Sequence, residues 1–257
     1  MLRPDVAYGP LEAERLDLCL PVGVRGLRPG VVLIHGGAWR FGSRGGFDDY
    51  CQAFAALGFL AASIDYRLAP RAIWPAQLVD AQLAVRYLRA HAASLGLDGV
   101  HLCGFGESAG GQLAAFLGVL SAIHPGDAAG LYPDVSPKVS CVVDLYGPTD
   151  LTHPLPLLDS LDTFTTLFGG LTRDAAPVLY RDASPLYFVT STAAPTLIIQ
   201  GEQDTTVPPE QSRVFAAALK EAGVPVQYVS YDGGHGIPPD LRDAMLKTEG
   251  DFLLAHA

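Results

Sequence analysis

A chain of 257 residues, 49% of them hydrophobic, fits one large α/β domain and can bury a core without metal or disulfide staples. Its formal net charge of −10 repels phosphate backbones, so nucleic acid is not an expected partner, and anionic surfaces are disfavoured. No apolar run reaches the ~18 residues of a membrane span, and the opening Met1-Leu2-Arg3-Pro4-Asp5 lacks the apolar stretch of a leader, so a cytoplasmic location is expected.

Short β-type runs alternate with longer helical patterns along the chain. Residues 16–20 read as an antiparallel edge strand. Val31-Val32-Leu33-Ile34 reads as a buried strand ending at His35-Gly36-Gly37. A helix is predicted over 47–57, a strand over 59–66 and a long helix over 76–93. Its apolar face of Leu78, Val79, Ala81, Leu83, Val85, Leu88 and Ala92 is broken by Asp80, Arg86 and Arg89. Residues 100–104 form a further strand. The segment 108–120 is small and apolar all round, which predicts a buried helix. Residues 124–137 are a loop rich in Pro, Gly and Ala, and 139–145 is a strand. The segment 148–194 has no strand-like run and is expected to be a lid or pocket insertion with one or two short helices. Strands over 196–200 and 226–231 bracket an amphipathic helix over 210–222 that stops at Gly223, and a helix over 240–255 closes the chain. Continuous apolar strands separated by helices predict a mostly parallel, doubly wound sheet covered on both faces, as one domain over 1–257.

Four cysteines, Cys19, Cys51, Cys103 and Cys141, form no CxxC pair, and three sit in apolar runs. They are expected to be small buried hydrophobes, not a disulfide framework. No His/Cys/Asp cluster has metal-ligand spacing, so neither metal nor cofactor is expected.

The chemistry centres on Gly106-Glu107-Ser108-Ala109-Gly110, between a predicted strand and a predicted helix. A G-x-S-x-G turn there presents the serine hydroxyl beyond the sheet edge and needs tiny neighbours where strand and helix approach. Gly104, Gly106 and Ala109 also match the dinucleotide pattern G-x-G-x-x-A, but that pattern belongs on a first βα unit with an acidic residue on the next strand, and here it lies mid-chain. His35-Gly36-Gly37-Ala38-Trp39 follows a strand. Its glycines let backbone N–H groups approach a substrate, so the N–H groups of Gly37, Ala38 and Ala109 are the expected donors to an oxyanion. The alternative for that motif is a plain glycine turn.

A base and its orienting acid should follow in the order Ser, Asp, His. Asp204 lies on a loop after one strand, and His235, in Asp232-Gly233-Gly234-His235-Gly236, follows the last strand. Ser108, Asp204 and His235 are therefore the expected catalytic set. Glu202, Asp144 and Asp150 are rivals for the acid. His35 is expected to shape the oxyanion loop, His101 to pack in a strand, and His91, His124, His153 and His256 to lie in loops or on the surface. Trp39, Phe164, Leu167, Phe168 and Tyr187 are candidates for a substrate-pocket wall, with simple packing of the insertion as the alternative.

Together, His35-Gly36-Gly37-Ala38-Trp39, Asp65-Tyr66-Arg67-Leu68-Ala69-Pro70 and Gly106-Glu107-Ser108-Ala109-Gly110-Gly111 resemble carboxylesterases of the α/β-hydrolase superfamily, in the hormone-sensitive-lipase-like and feruloyl-esterase-like (BD-FAE-like) branch. Trp74-Pro75-Ala76-Gln77 and Arg181-Asp182-Ala183-Ser184-Pro185 carry the same resemblance. It implies the α/β-hydrolase fold, Ser108, Asp204 and His235 as triad, and Gly37, Ala38 and Ala109 as oxyanion donors. The motif departs from the family in having Ala38 where a third glycine is usual, and a large N-terminal cap is not expected. Asp65-Tyr66-Arg67 is expected to be structural, with Arg67 bonding loop carbonyls or carboxylates. The expected activity is hydrolysis of a small-molecule ester with a short acyl or aryl group through an acyl-enzyme, by a monomer or homodimer. An amide-cleaving hydrolase of arylformamidase or peptidase type uses the same residues, and a non-catalytic binder on this scaffold is the remaining alternative.

Overall fold

The computed structural model describes residues 1–23, 26–127 and 130–257. Eight strands, β1 (Leu2–Ala7), β2 (Arg15–Cys19), β3 (Arg28–Ile34), β4 (Leu60–Ile64), β5 (Leu97–Glu107), β6 (Val142–Leu145), β7 (Thr196–Gly201) and β8 (Val226–Tyr231), form one sheet in the order β1-β2-β4-β3-β5-β6-β7-β8. Strands β3 to β8 are parallel, and β1 and β2 are antiparallel additions at one edge. The expected edge strand is thus the second strand. The outermost, β1, reads Leu-Arg-Pro-Asp-Val-Ala and is largely exposed, so no apolar alternation announces it.

The nine helices among the described residues are α1 (Asp48–Ala56), α2 (Ala76–Ala90), α3 (Ala92–Leu95), α4 (Ala109–Val119), α5 (Pro156–Ser160), α6 (Thr163–Leu167), α7 (Pro177–Asp182), α8 (Glu210–Glu221) and α9 (Arg242–His256). The predicted long helix breaks at His91, leaving α3 as one short turn. The segment 148–194 holds three short α-helices and a 3-10 turn (Pro185–Phe188) rather than one or two helices. None of the described helices is long and apolar enough to cross a membrane.

Side-chain alternation along the strands splits the core in two. Val32, Ile34, Ala62, Leu102 and Ile198 face α2, α4 and α8, while Val31, Leu33, Ala61, Phe105 and Ile199 face α1 and α9. Helix α4 is buried on every side, as its composition requires. The cysteine expectation is corrected. Cys19 pairs with Cys51, tying β2 to α1, and Cys103 pairs with Cys141, tying β5 to the entry of β6. Each residue is buried as expected, but the pairings join positions 32 and 38 residues apart, brought together by the packing of α1 on β2 and by the register of β5 against β6.

The winding of the sheet reverses between the parallel strands β3 and β5: after β3 the next strand is added on the β4 side, and after β5 strands are added on the other. Ligand crevices of open α/β sheets form at such a switch, beyond the carboxyl ends of the strands. The loop after β3 carries the His-Gly-Gly motif, and the turn after β5 carries Ser108.

Candidate active site

Ser108 stands at φ 51°, ψ −119°, a strained backbone that projects its hydroxyl away from the strand-to-helix turn. Its N–H is held by the carbonyl of Leu145 on β6 at 2.8 Å. Glycine is compulsory on both sides. A methyl on Gly106 would run into the carbonyl of Gly110, and one on Gly110 into the carbonyl of Ile34.

His235 Nε2 lies 2.9 Å from Ser108 Oγ, and His235 Nδ1 lies 2.7 Å from Asp204 Oδ2. A carboxylate only accepts, so Nδ1 carries the proton and Nε2 offers its lone pair to the serine hydroxyl. Asp204 is buried, with four donors around it. Oδ1 accepts the N–H groups of Thr206 at 2.8 Å and Val207 at 2.9 Å, and Oδ2 accepts the Gln200 amide at 3.1 Å as well as the imidazole. Ser212 Oγ donates to Gln200 Oε1 at 2.7 Å and so fixes which way that amide points.

The rival carboxylates are engaged elsewhere. Glu202 pairs with Arg213 on the surface. Asp150 accepts from Thr152 and His153. Asp144 is buried in β6 and accepts the N–H of Gly147 at 2.9 Å; burial raises its carboxyl to about 7, with the Gly147 bond pulling the other way.

The loop after β3 has three successive residues at positive φ: Gly37 at 106°, Ala38 at 53° and Trp39 at 58°. A methyl on Gly37 would run into the carbonyl of Phe41. No described protein group accepts the N–H of Gly37, Ala38 or Ala109, which leaves all three available beside the serine turn. Beneath the loop, the His35 ring stacks on Tyr66 with centroids 4.3 Å apart, and Tyr66 donates to the carbonyl of His35 at 2.9 Å. His35 Nδ1 donates to the carbonyl of Gly36 at 2.7 Å, and burial lowers its affinity for a second proton. Asp65 accepts from Arg44, which also pairs with Asp17 and Asp5, and Arg67 forks onto buried Asp80. The Asp65-Tyr66-Arg67 run is therefore scaffolding for this loop.

Of the pocket-wall candidates, four pack as the alternative of simple packing would have them, and Phe164 also borders a cavity together with Arg173 and Tyr180. Trp39, Phe164, Leu167 and Phe168 are each at least 98% buried and lie in the main core. The Trp39 indole donates to Gln112 at 2.8 Å and Gln112 donates to the carbonyl of Ala183, so this set clamps the insertion onto α4. Tyr187 keeps an exposed face, with its hydroxyl 2.9 Å from Thr152 Oγ1 and the Arg181 guanidinium 4.7 Å above its ring. Sequence reasoning gave no role to Gln112, Gln200, Glu107 or Tyr146; Glu107 and Gln200 are near neighbours of Ser108 and Asp204 in the chain, whereas Gln112 and Tyr146 act through contacts distant in sequence.

No described group of three or more His, Cys, Asp or Glu side chains is arranged to hold a metal ion.

The sheet, the strained serine turn after β5 and the loop order of Ser108, Asp204 and His235 define an α/β-hydrolase. More narrowly, the chain belongs to the BD-FAE family, whose model matches residues 16–219. Esterase LipQ of Mycobacterium tuberculosis is 34% identical over 261 residues, a match covering 97% of this chain and 61% of that protein, so the chain spans about three fifths of that relative's length. Among solved structures, a truncated form of a carbohydrate esterase from gut microbiota superimposes with a TM-score of 0.87 at 30% identity, covering 100% of this chain and 96% of that one. Esterase 2 of Thermogutta terrifontis, in a structure phosphonylated by sarin, superimposes with a TM-score of 0.84 at 26% identity, covering 98% and 94%.

Proposed function

We propose that this chain is a serine carboxylesterase acting on small-molecule esters with short acyl or aryl groups. The observation that carries the reading is the hydrogen-bonded run from Ser108 through His235 to Asp204, beside three N–H groups without protein acceptors. In the first half-reaction Ser108 Oγ attacks the ester carbonyl carbon while its proton passes to His235 Nε2. The N–H groups of Gly37, Ala38 and Ala109 stabilise the resulting oxyanion. The tetrahedral intermediate collapses as His235 returns the proton to the leaving alkoxide, and the alcohol departs. Water then attacks the acyl-enzyme by the same route, releasing the carboxylic acid and restoring Ser108. Asp204 holds the imidazole tautomer and stabilises the imidazolium.

The relatives are named as esterases in each case, which supports ester over amide as the substrate bond. The two disulfides favour an oxidising compartment over the cytoplasm expected from the sequence. Turnover of p-nitrophenyl acetate and butyrate, set against p-nitroacetanilide and N-formylkynurenine, tests the reading. Ester turnover lost in Ser108→Ala is expected; exclusive turnover of the amides, or none of any substrate, would overturn it.

A further inference from the structure

Tyr146, the residue that leaves β6, stands at φ 45°, in the left-handed region that an aromatic side chain rarely adopts. The turn is held there from several sides. Its N–H donates to the carbonyl of Ile199 on β7 at 2.9 Å, and the buried Asp144 carboxylate accepts the N–H of Gly147 at 2.9 Å. Gly111 makes room for that carboxylate, since a methyl there would overlap Asp144 Oδ1. Glycine or asparagine would suit this backbone better, so the tyrosine is present for its side chain.

That side chain meets the site at two points. The ring packs edge-to-face on the imidazole of His235, with centroids 4.8 Å apart and planes at 63°. The hydroxyl donates to Glu107 Oε2 at 3.1 Å, and Glu107 sits immediately before Ser108 and packs against Gly36 of the oxyanion loop. Burial and the Glu107 charge push the Tyr146 phenol well above its ordinary value, so it remains a donor. The bond from His235 Nδ1 to Asp204 fixes one end of the imidazole but leaves the ring free to swing about that bond. A second, rigid contact on its face removes this freedom.

We propose that Tyr146, anchored by Glu107, is a positioning residue that holds the His235 ring at the angle where Nε2 meets Ser108 Oγ. This inference rests on the hydrolase reading above. The test compares wild type, Tyr146→Asn, Tyr146→Leu and Tyr146→Phe for kcat and KM on p-nitrophenyl acetate, for the rate of phosphonate labelling at Ser108, and for melting temperature. Tyr146→Asn suits the backbone and removes the ring, which separates the contact from the turn; Tyr146→Phe keeps the ring. Tyr146→Asn and Tyr146→Leu are expected to lose about ten- to a hundredfold in kcat and in labelling rate, with KM within about threefold. Tyr146→Phe is expected to recover most of the loss. Wild-type kcat in Tyr146→Asn, a loss appearing in KM alone, or Tyr146→Phe no better than Tyr146→Asn would overturn the positioning role alone. A wild type that neither turns over nor labels would overturn the hydrolase reading and this one with it.

Discussion

Replacing Asp204 with asparagine separates shape from charge at the acid position. Asp204 receives four N–H donors and offers only acceptors: Thr206 and Val207 at Oδ1, His235 and Gln200 at Oδ2. Asparagine has one oxygen and one NH2 group. The two backbone donors cannot turn away, so the oxygen goes to them and the NH2 group faces His235. The imidazole must then present a lone pair at Nδ1 and carry its proton on Nε2, where it can no longer accept the Ser108 hydroxyl proton. The general base is lost with the fold kept. The expected loss in kcat/KM is about 10³–10⁴, or roughly 4–5.5 kcal/mol of transition-state stabilisation. The assay is p-nitrophenyl acetate hydrolysis at pH 7.5, with Glu202→Gln as a control expected within about twofold of wild type because Glu202 pairs with Arg213. A loss below about tenfold in Asp204→Asn, or a large loss in the control, would refute the assignment of the acid.

The remaining predictions concern the scaffold. Glu249 on α9 is fully buried with both carboxyl oxygens unpartnered, and burial raises it to about 8, against a smaller downward pull from Arg242. Its folded-state proton affinity exceeds the unfolded one, so this proton favours folding at low pH and the benefit is lost as pH rises from 4.5 to about 8. Glu249→Gln should therefore gain on wild type across that window, by up to about 5 kcal/mol, in urea denaturation midpoints; a difference independent of pH would refute this. Gly110→Ala should destabilise the fold by about 3 kcal/mol or more and abolish turnover, since the methyl meets the backbone carbonyl of Ile34 rather than a movable side chain. A wild-type melting temperature would contradict it. Alkylation of the unfolded, unreduced protein should label none of the four cysteines, and reduction should lower stability by about 3–4 kcal/mol for each of the two disulfides by the loop-closure model. Four labelled cysteines before reduction would remove the disulfide argument.

Most of the parallel strands were legible because they carry short apolar runs, while β8 alternates polar and apolar residues, and Ser108 was legible because the nucleophile turn demands small residues at fixed offsets. Position after the last strand points to His235, whose Nε2 the structure sets 2.9 Å from Ser108 Oγ. Asp204 was preferred to Glu202 only for its later place on the same loop, and the structure sets its carboxylate 2.7 Å from His235 Nδ1 while Glu202 pairs with Arg213. Strand β1 was invisible because an exposed edge strand has no apolar face to pattern. The disulfides were missed for a related reason: a cysteine in an apolar run packs equally well alone or paired, and only register brings Cys103 beside Cys141. Phe164, Leu167 and Phe168 suit a pocket wall and a core equally in composition, and the structure buries all three in the core, with Phe164 also bordering a cavity. Tyr146 could have been noticed only through its place beside Gly147 at the end of a strand, a signal that says turn and not contact.

Nucleophilic attack by Ser108 is the claim on which the rest depends, and a fluorophosphonate probe tests it directly. After incubation, intact mass followed by peptide mapping should show one adduct, on the peptide carrying Ser108, formed far more slowly in His235→Ala and absent in Ser108→Ala. An adduct on any other residue, or wild-type protein that stays unmodified while folded, would contradict it.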